Sequence, residues 1–489
     1  MNRAIRRVGI VVVLLFVALS GQLTYLQLVR ASSLNKDPAN VRVVTADFVR
    51  PRGDIVTADG TVLARSTPTK DDLKYQREYP TGSLFSHVVG YQSVTIGNTG
   101  VEREYDSELL GRDVRLQTHS LSDLLNKHNN TGTVVLTMSD AAQKAAKAAL
   151  NNRRGSVVVL DVKTGGIVAM YSNPTFDPTP LASHNTTTVQ KYFDFMEALP
   201  VHPDLPRAYR ERYPAGSTFK VITSGVALDA GIVQPDTPFP RLREIPLPQS
   251  TSILKNFGHE SCGGTLAESF TVSCNTTFAR IGLTLGDRLA QGATQFGINT
   301  PAPPIDLSPG AASSVGPEAG TFRNNQPFFA LGAIGQGSVA VTPLEMALVA
   351  ESVADNGVMM VPHVMQEIRA SDGTVVRRYQ PKQWRRTMTP ATAAILNGFM
   401  RSVVASPNGT GTAARIPGIA VAGKTGTAES PPGAPHAWFI AFAPAEAPRY
   451  AVAVIVEHAG DEGSERTGGR VAAPIAAQML TTLLKGPAQ

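Results

Sequence analysis

Cysteine is scarce in this chain. Only two, Cys262 and Cys274, occur in 489 residues, which excludes a disulfide-stapled small fold, and their spacing does not resemble a zinc site. Acidic residues are absent before Asp37, and no basic run stands out beyond the extreme N-terminus. The net charge of +6 therefore suits an anionic wall or membrane face, and nucleic acid is not an expected partner. No internal repeat is evident, and no module is expected after the last predicted helix.

What is present begins with one long apolar run. Val8 to Val29 carries no charge and is long enough to span a bilayer, while Arg3, Arg6 and Arg7 precede it. The positive flank predicts a single-pass anchor in the cell membrane with a cytoplasmic N-terminus and an extracytoplasmic body. The competing reading is a cleaved signal peptide ending near Ala18-Leu-Ser20; Leu23, Leu26 and Leu28 prolong the apolar run past that point and favour retention. Both cysteines then lie where oxidation is permitted, and a Cys262–Cys274 disulfide is expected. The alternative is a pair of buried thiols acting as small hydrophobes.

The most informative segment is Tyr213-Pro-Ala-Gly-Ser217-Thr-Phe-Lys220, followed by apolar residues at helical spacing up to Gly231. Residues three apart share a helix face, so Ser217 and Lys220 can act as nucleophile and base, and the positive end of the helix favours the anionic serine. Ser-x-x-Lys alone is weak, since Ser33-Leu-Asn-Lys36 and Ser252-Ile-Leu-Lys255 also fit. Ser273-Cys274-Asn275 and Lys424-Thr425-Gly426-Thr427 follow in the order that accompanies Ser-x-x-Lys in acyl-transferring serine proteins. Ser183-His-Asn185 and Lys163-Thr-Gly165 are decoys by context. His259, His436 and Asp161 are candidates by residue type only and read better as structural.

With these motifs, the chain resembles the class B penicillin-binding proteins, most closely in their short form. The resemblance also rests on Arg52-Gly-Asp-Ile55 with Ala58-Asp-Gly60, Gly100-Val-Glu-Arg-Glu-Tyr105, Gly335-Gln-Gly337 and Thr342-Pro-Leu344. It implies a D,D-transpeptidase that cross-links peptidoglycan stem peptides through an acyl-serine, is trapped by β-lactam antibiotics and needs no metal or organic cofactor. Ser217 attacks and Lys220 is the base. Ser273 relays the proton, and Asn275 holds the substrate amide and Lys220. Lys424 supplies positive potential, and Thr425, Gly426 and Thr427 form the substrate-binding strand. A membrane-embedded glycosyltransferase and other division or elongation proteins are the implied partners. The alternatives are a carboxypeptidase or β-lactamase of the same fold, or a membrane-anchored β-lactam sensor or scaffold.

The fold class predicted is α+β, the penicillin-recognising serine transferase fold. Residues 1–30 form the tail and anchor, 31–150 a smaller pedestal or dimerisation-like domain of short strands, and 151–489 the transpeptidase domain. Strands are predicted at Thr133 to Thr137, Ser156 to Leu160, Ile167 to Met170, Ala420 to Ala428, Ala437 to Ala443 and Tyr450 to Glu457. Helices are predicted at Asp140 to Leu150 and Ala472 to Leu484, with a capping box at Thr265 to Glu268. Residues 215 to about 410 are expected to be mainly helical, with irregular Pro-rich stretches. Two strands at the start of the large domain and three at its end must then share one antiparallel sheet, with Lys424 to Thr427 on its edge.

Overall fold

The computed structural model describes residues 2–30, 47–117, 130–429, 433–459 and 468–486. The Ser33–Lys36 motif, Ala31 to Ala46 of the pedestal and the segment 118–129 lie outside them. Asn2–Tyr25 is a continuous helix. Its Ile5–Tyr25 portion, 21 residues of mean hydropathy 2.1, is not buried against the rest of the chain. At about 1.5 Å per residue it extends roughly 31 Å, close to the thickness of a hydrocarbon core.

A five-stranded sheet centres the large domain, in the spatial order Ala422–Ala428, His436–Ala443, Tyr450–Val456, Gly155–Asp161, Ile167–Asn173. All pairs are antiparallel. The predicted closure occurs where Tyr450–Val456 pairs with Gly155–Asp161 in the register Val452↔Val159 and Val454↔Val157. His436–Ala443 is buried at every position, as expected for a strand covered on both faces. Helices Asp140–Leu150 and Ala473–Lys485 pack together against the sheet. Pro343–Ala354, buried at every position, packs on its three inner strands. The alanine face of Asp140–Leu150, with Ala142 and Ala146 buried, permits close approach; Ser139 caps its start and Asn151, at φ 47°, ends it.

The second sheet corrects the sequence reading. It has six strands, in the order Val375–Arg378, Met365–Arg369, Thr133–Leu136, Ile55–Val56, Val62–Pro68, Tyr75–Glu78. The first two come from the stretch read as mainly helical and complete the N-terminal sheet from more than 200 residues away. Met365–Arg369 pairs antiparallel with Thr133–Leu136. A signal for it existed: two short apolar-containing strands flank Ser371-Asp-Gly373, a hairpin turn by composition. Further strand pairs occupy the Pro-rich stretch, where Pro238–Leu242 pairs with Cys262–Thr265 and Glu244–Pro246 with Ile253–Lys255.

Two N-terminal motifs meet in one buried ion network. Glu102 accepts from Arg52 Nε and Arg77 Nε, each at 2.6 Å, and Arg52 Nη1 reaches Asp106 at 2.7 Å. Arg52, Arg77 and Glu102 are almost wholly shielded from solvent. The flanking arginines hold the Glu102 carboxyl below its usual range despite the opposing effect of burial. Tyr105, in the same motif, donates to Asp306 at 2.6 Å, and Asp306 accepts from the backbone of Val364 and Met365. One carboxylate thus ties the N-terminal region to the hairpin that completes its sheet. Glu102→Ala leaves the buried Arg77 guanidinium without its carboxylate and Arg52 with Asp106 alone, and should cost about 3–5 kcal/mol in chemical denaturation; a change below about 1 kcal/mol would contradict this account of the network.

Candidate active site

The serine turn is built by close backbone approach. Gly216, at φ +53°, donates its N–H to Gly335 O at 2.9 Å. A Cβ at Gly216 would lie 2.4 Å from Thr427 O, and one at Gly335 would lie 2.0 Å from Gly216 O. Three segments therefore converge at a spacing that only glycine permits: the serine turn, the Gly335-Gln-Gly337 loop and the Lys-Thr-Gly strand. Tyr213 holds the turn from behind. Its hydroxyl donates to Glu457 at 2.9 Å, and its ring packs edge-on against His436 and Trp438. Trp438 Nε1 donates to Pro214 O at 2.9 Å.

The half-buried Ser217 lies in a 3₁₀ turn, Gly216–Phe219, and the α-helix begins only at Lys220. The helix was predicted to open at Ser217 itself. The tight Gly216 junction winds the entry turn more closely, and Thr218 Oγ1 donates to Ala215 O at 2.7 Å within it.

Lys220, fully buried, donates to Ser273 O at 2.7 Å, Ser273 Oγ at 3.2 Å and Asn275 Oδ1 at 2.7 Å. Lys424, also fully buried, approaches the same hydroxyl from the sheet, with Nζ 2.9 Å from Ser273 Oγ and 3.0 Å from Thr425 O. Ser273 Oγ thus bridges two buried amines. The rings of Phe278 and Phe270 lie 5.4 and 5.7 Å from the respective amines. Burial pulls the Lys424 ammonium down to about 7. This group can change charge near neutral pH, a property suited to proton transfer.

Ser273 reaches this position because its backbone is left-handed, at φ +62°, between two helices. The first ends at Thr271, having begun at the predicted Thr265–Glu268 capping box, and the second starts at Asn275. Cys274 is bonded to Cys262 with Cα atoms 5.7 Å apart, so the expected disulfide is present and pins this connection. The buried Asn256 assists from the other side: it accepts from Thr276 N at 2.9 Å and donates to Leu242 O at 2.6 Å.

Thr425 and Thr427 lie two apart on the edge strand and project to one face. Gly426 between them faces the serine turn, where a Cβ would lie 3.0 Å from Ala215 O. Thr425 Oγ1 lies 2.6 Å from Thr410 Oγ1.

The remaining candidates fall into structural positions. Asp161 accepts from Lys163 N, Thr164 N and Thr164 Oγ1 in the hairpin turn containing Lys163-Thr-Gly165. Asn185 caps the helix Thr186–Glu197. His259 is exposed. His436 is buried against Tyr213 and His458, and desolvation pulls its imidazole down to about 4. Lys255 lies on a strand and lends only its carbonyl, to Asn275 Nδ2 at 3.2 Å. Sequence reasoning missed Thr410, Asn256, Trp438 and Glu457. Among the described residues, no cluster of three or more His, Cys, Asp or Glu side chains could hold a metal ion.

A serine on a glycine-tight turn, beside two buried lysines sharing a second serine and an edge strand bearing two threonines, defines a serine acyl-transfer protein of the penicillin-recognising class. The family described as penicillin binding protein transpeptidase domain matches residues 155–481, and the penicillin binding protein A dimerisation domain matches 52–135. The peptidoglycan D,D-transpeptidase PbpA of Mycolicibacterium smegmatis is 39% identical, with 99% of each chain covered. Its namesake in Mycobacterium tuberculosis is 37% identical over 99% of this chain and 100% of that one. Solved structures of penicillin-binding protein A from M. tuberculosis, as ceftriaxone and penicillin G acyl-enzyme complexes, match with TM-scores of 0.82 and 0.81 at 35% and 36% identity. They cover 90% and 89% of this chain and 100% of each of theirs. The chain belongs to the penicillin-binding protein transpeptidase family.

Two outcomes follow for stability. Reducing the Cys262–Cys274 bond, or replacing both cysteines by alanine, should lower the unfolding free energy by about 3 kcal/mol, read from denaturation with and without reductant. Lys424 loses its proton near pH 7 in the folded state but only near its ordinary value of 10.5 when unfolded. Between those values the unfolded chain binds more protons, so Lys424 makes stability rise with pH. Lys424→Met should flatten that rise, and an unchanged slope would contradict the shift.

Proposed function

We propose that this chain is a membrane-anchored peptidoglycan D,D-transpeptidase acting through an acyl-enzyme on Ser217. The observation that carries the reading is the Ser273 hydroxyl held between the amines of Lys220 and Lys424, beside the serine turn and the edge strand. Ser217 Oγ attacks the carbonyl between the two terminal D-alanines of a stem peptide, and Lys220 takes its proton. The C–N bond breaks, D-alanine leaves, and its amine receives a proton through Ser273. An amine from a neighbouring stem peptide then attacks the ester, forming the cross-link and releasing Ser217.

Asn275 orients Lys220 and the substrate amide. Lys424 adds positive potential at Ser273 and at the substrate carboxylate, which the hydroxyls of Thr425 and Thr427 bind. The backbone N–H groups of Ser217 and Thr427 form the oxyanion hole. Gly426 lets the strand lie against the serine turn. The glycine junction supports this assignment, because it fixes the Ser217 and Thr427 backbones relative to each other before any charge develops. The N-terminal helix spans the membrane with Arg3, Arg6 and Arg7 in the cytoplasm and the catalytic region outside. The helix and the N-terminal region dock a membrane-embedded glycosyltransferase and other division or elongation proteins. Residues 31–150 form the pedestal and 151–489 the catalytic domain, with the hairpin of 365–378 lent back to the pedestal.

A β-lactam should acylate the same serine. The detergent-solubilised full-length chain, followed for hours by intact mass spectrometry after adding benzylpenicillin, should gain the mass of one whole drug molecule, since ring opening releases nothing. Ser217→Ala should gain nothing. Rapid loss of the adduct with product turnover would instead indicate a β-lactamase, and no adduct on a folded chain would indicate a scaffold. Release of D-alanine from a stem peptide without cross-linked product would indicate a carboxypeptidase.

A further inference from the structure

Thr410 lies outside the three motifs but touches one of them, at Thr425. Thr425 belongs to the edge strand, whereas Thr410 lies in the loop after the helix Pro390–Ala405, yet their hydroxyl oxygens are 2.6 Å apart. Among the described residues, each is the other's only side-chain hydrogen-bond partner. The loop has little room to move. Gly411 N donates to Val403 O at 3.0 Å, and a Cβ on Gly469 would lie 2.2 Å from Thr410 O. Thr410 is therefore held at a set distance from the strand.

A hydroxyl carries one proton, and either oxygen of this pair can be the donor. If Thr425 donates to Thr410, Thr425 turns lone pairs toward the cleft and repels an anion. If Thr410 donates to Thr425, the Thr425 proton is released to point outward, and its oxygen, already accepting one bond, becomes a stronger donor. A carboxylate in the cleft selects the second arrangement. We propose that Thr410 is a positioning residue that turns Thr425 into a hydrogen-bond donor, giving the site its preference for substrates ending in a free carboxylate. This rests on the reading of Thr425 as part of the carboxylate site.

The test compares acylation of the full-length chain by benzylpenicillin and by its methyl ester, which lacks the anion. Charge-assisted hydrogen bonds are about twice as strong as neutral ones. Thr410→Val should therefore lower the acid-to-ester ratio of acylation rate constants about tenfold, equivalent to roughly 1.4 kcal/mol. Thr410→Ser should restore it. Thr410→Ala provides a second deletion of the hydroxyl should the valine variant fold poorly, with thermal unfolding as the control. If Thr425→Val lowers the ratio and both Thr410 deletions leave it unchanged, or slow both probes equally, Thr410 is only structural and the inference is overturned. If Thr425→Val itself leaves the ratio unchanged, the carboxylate reading of Thr425 falls, and this inference falls with it.

Discussion

Everything in the large domain depends on one long-range pairing, that of Gly155–Asp161 with Tyr450–Val456. It joins the start of the domain to its end and closes a five-stranded sheet around nearly 300 intervening residues. The edge of that sheet carries Lys424. The serine turn is not part of the sheet, but it is fastened to it through Trp438 and Pro214, through Tyr213 and Glu457, and through the Gly216 junction. A serine turn attached in this way takes its position from the sheet. The geometry of the site and the integrity of the fold are therefore secured by the same contacts.

The electrostatics run against stability. Two lysine amines are buried near one another, and their described hydrogen-bond partners include hydroxyl, amide and carbonyl oxygens. Burial of a charged amine is unfavourable, and at Lys424 it weakens the hold on the proton. Glu102 shows the opposite arrangement, with two arginines around one carboxylate in an equally buried setting. The N-terminal region sets two carboxylates, Glu102 and Asp106, against its two buried arginines, whereas burial in the site leaves Lys424 able to exchange a proton near neutral pH.

Much of this was legible in the sequence because the motifs report local geometry. Ser217 with Lys220, Ser273 with Asn275, and Lys424 with Thr425 and Thr427 each occupy short segments whose conformation follows from neighbouring Gly, Pro and capping residues. The disulfide was legible from compartment and spacing. The paired ends of the sheet followed from the need to satisfy strand edges. The hairpin at 365–378 was overlooked because strongly helical segments surround it and its partners lie in another region of the chain. Thr410 was overlooked for a related reason. It sits in a Ser-Pro-Asn-Gly-Thr-Gly loop that reads as a simple turn, and only tertiary contact with Thr425 distinguishes it.

The borrowed hairpin also bears on how the molecule is made. Chains emerge N-terminus first, and domains usually fold in that order. Here Thr133–Leu136 keeps an open backbone edge until Met365–Arg369 arrives, and Tyr105 lacks its Asp306 partner until residue 306 has emerged. The N-terminal sheet cannot be completed ahead of the C-terminal body. It must wait, partly open, until about three quarters of the polypeptide has emerged.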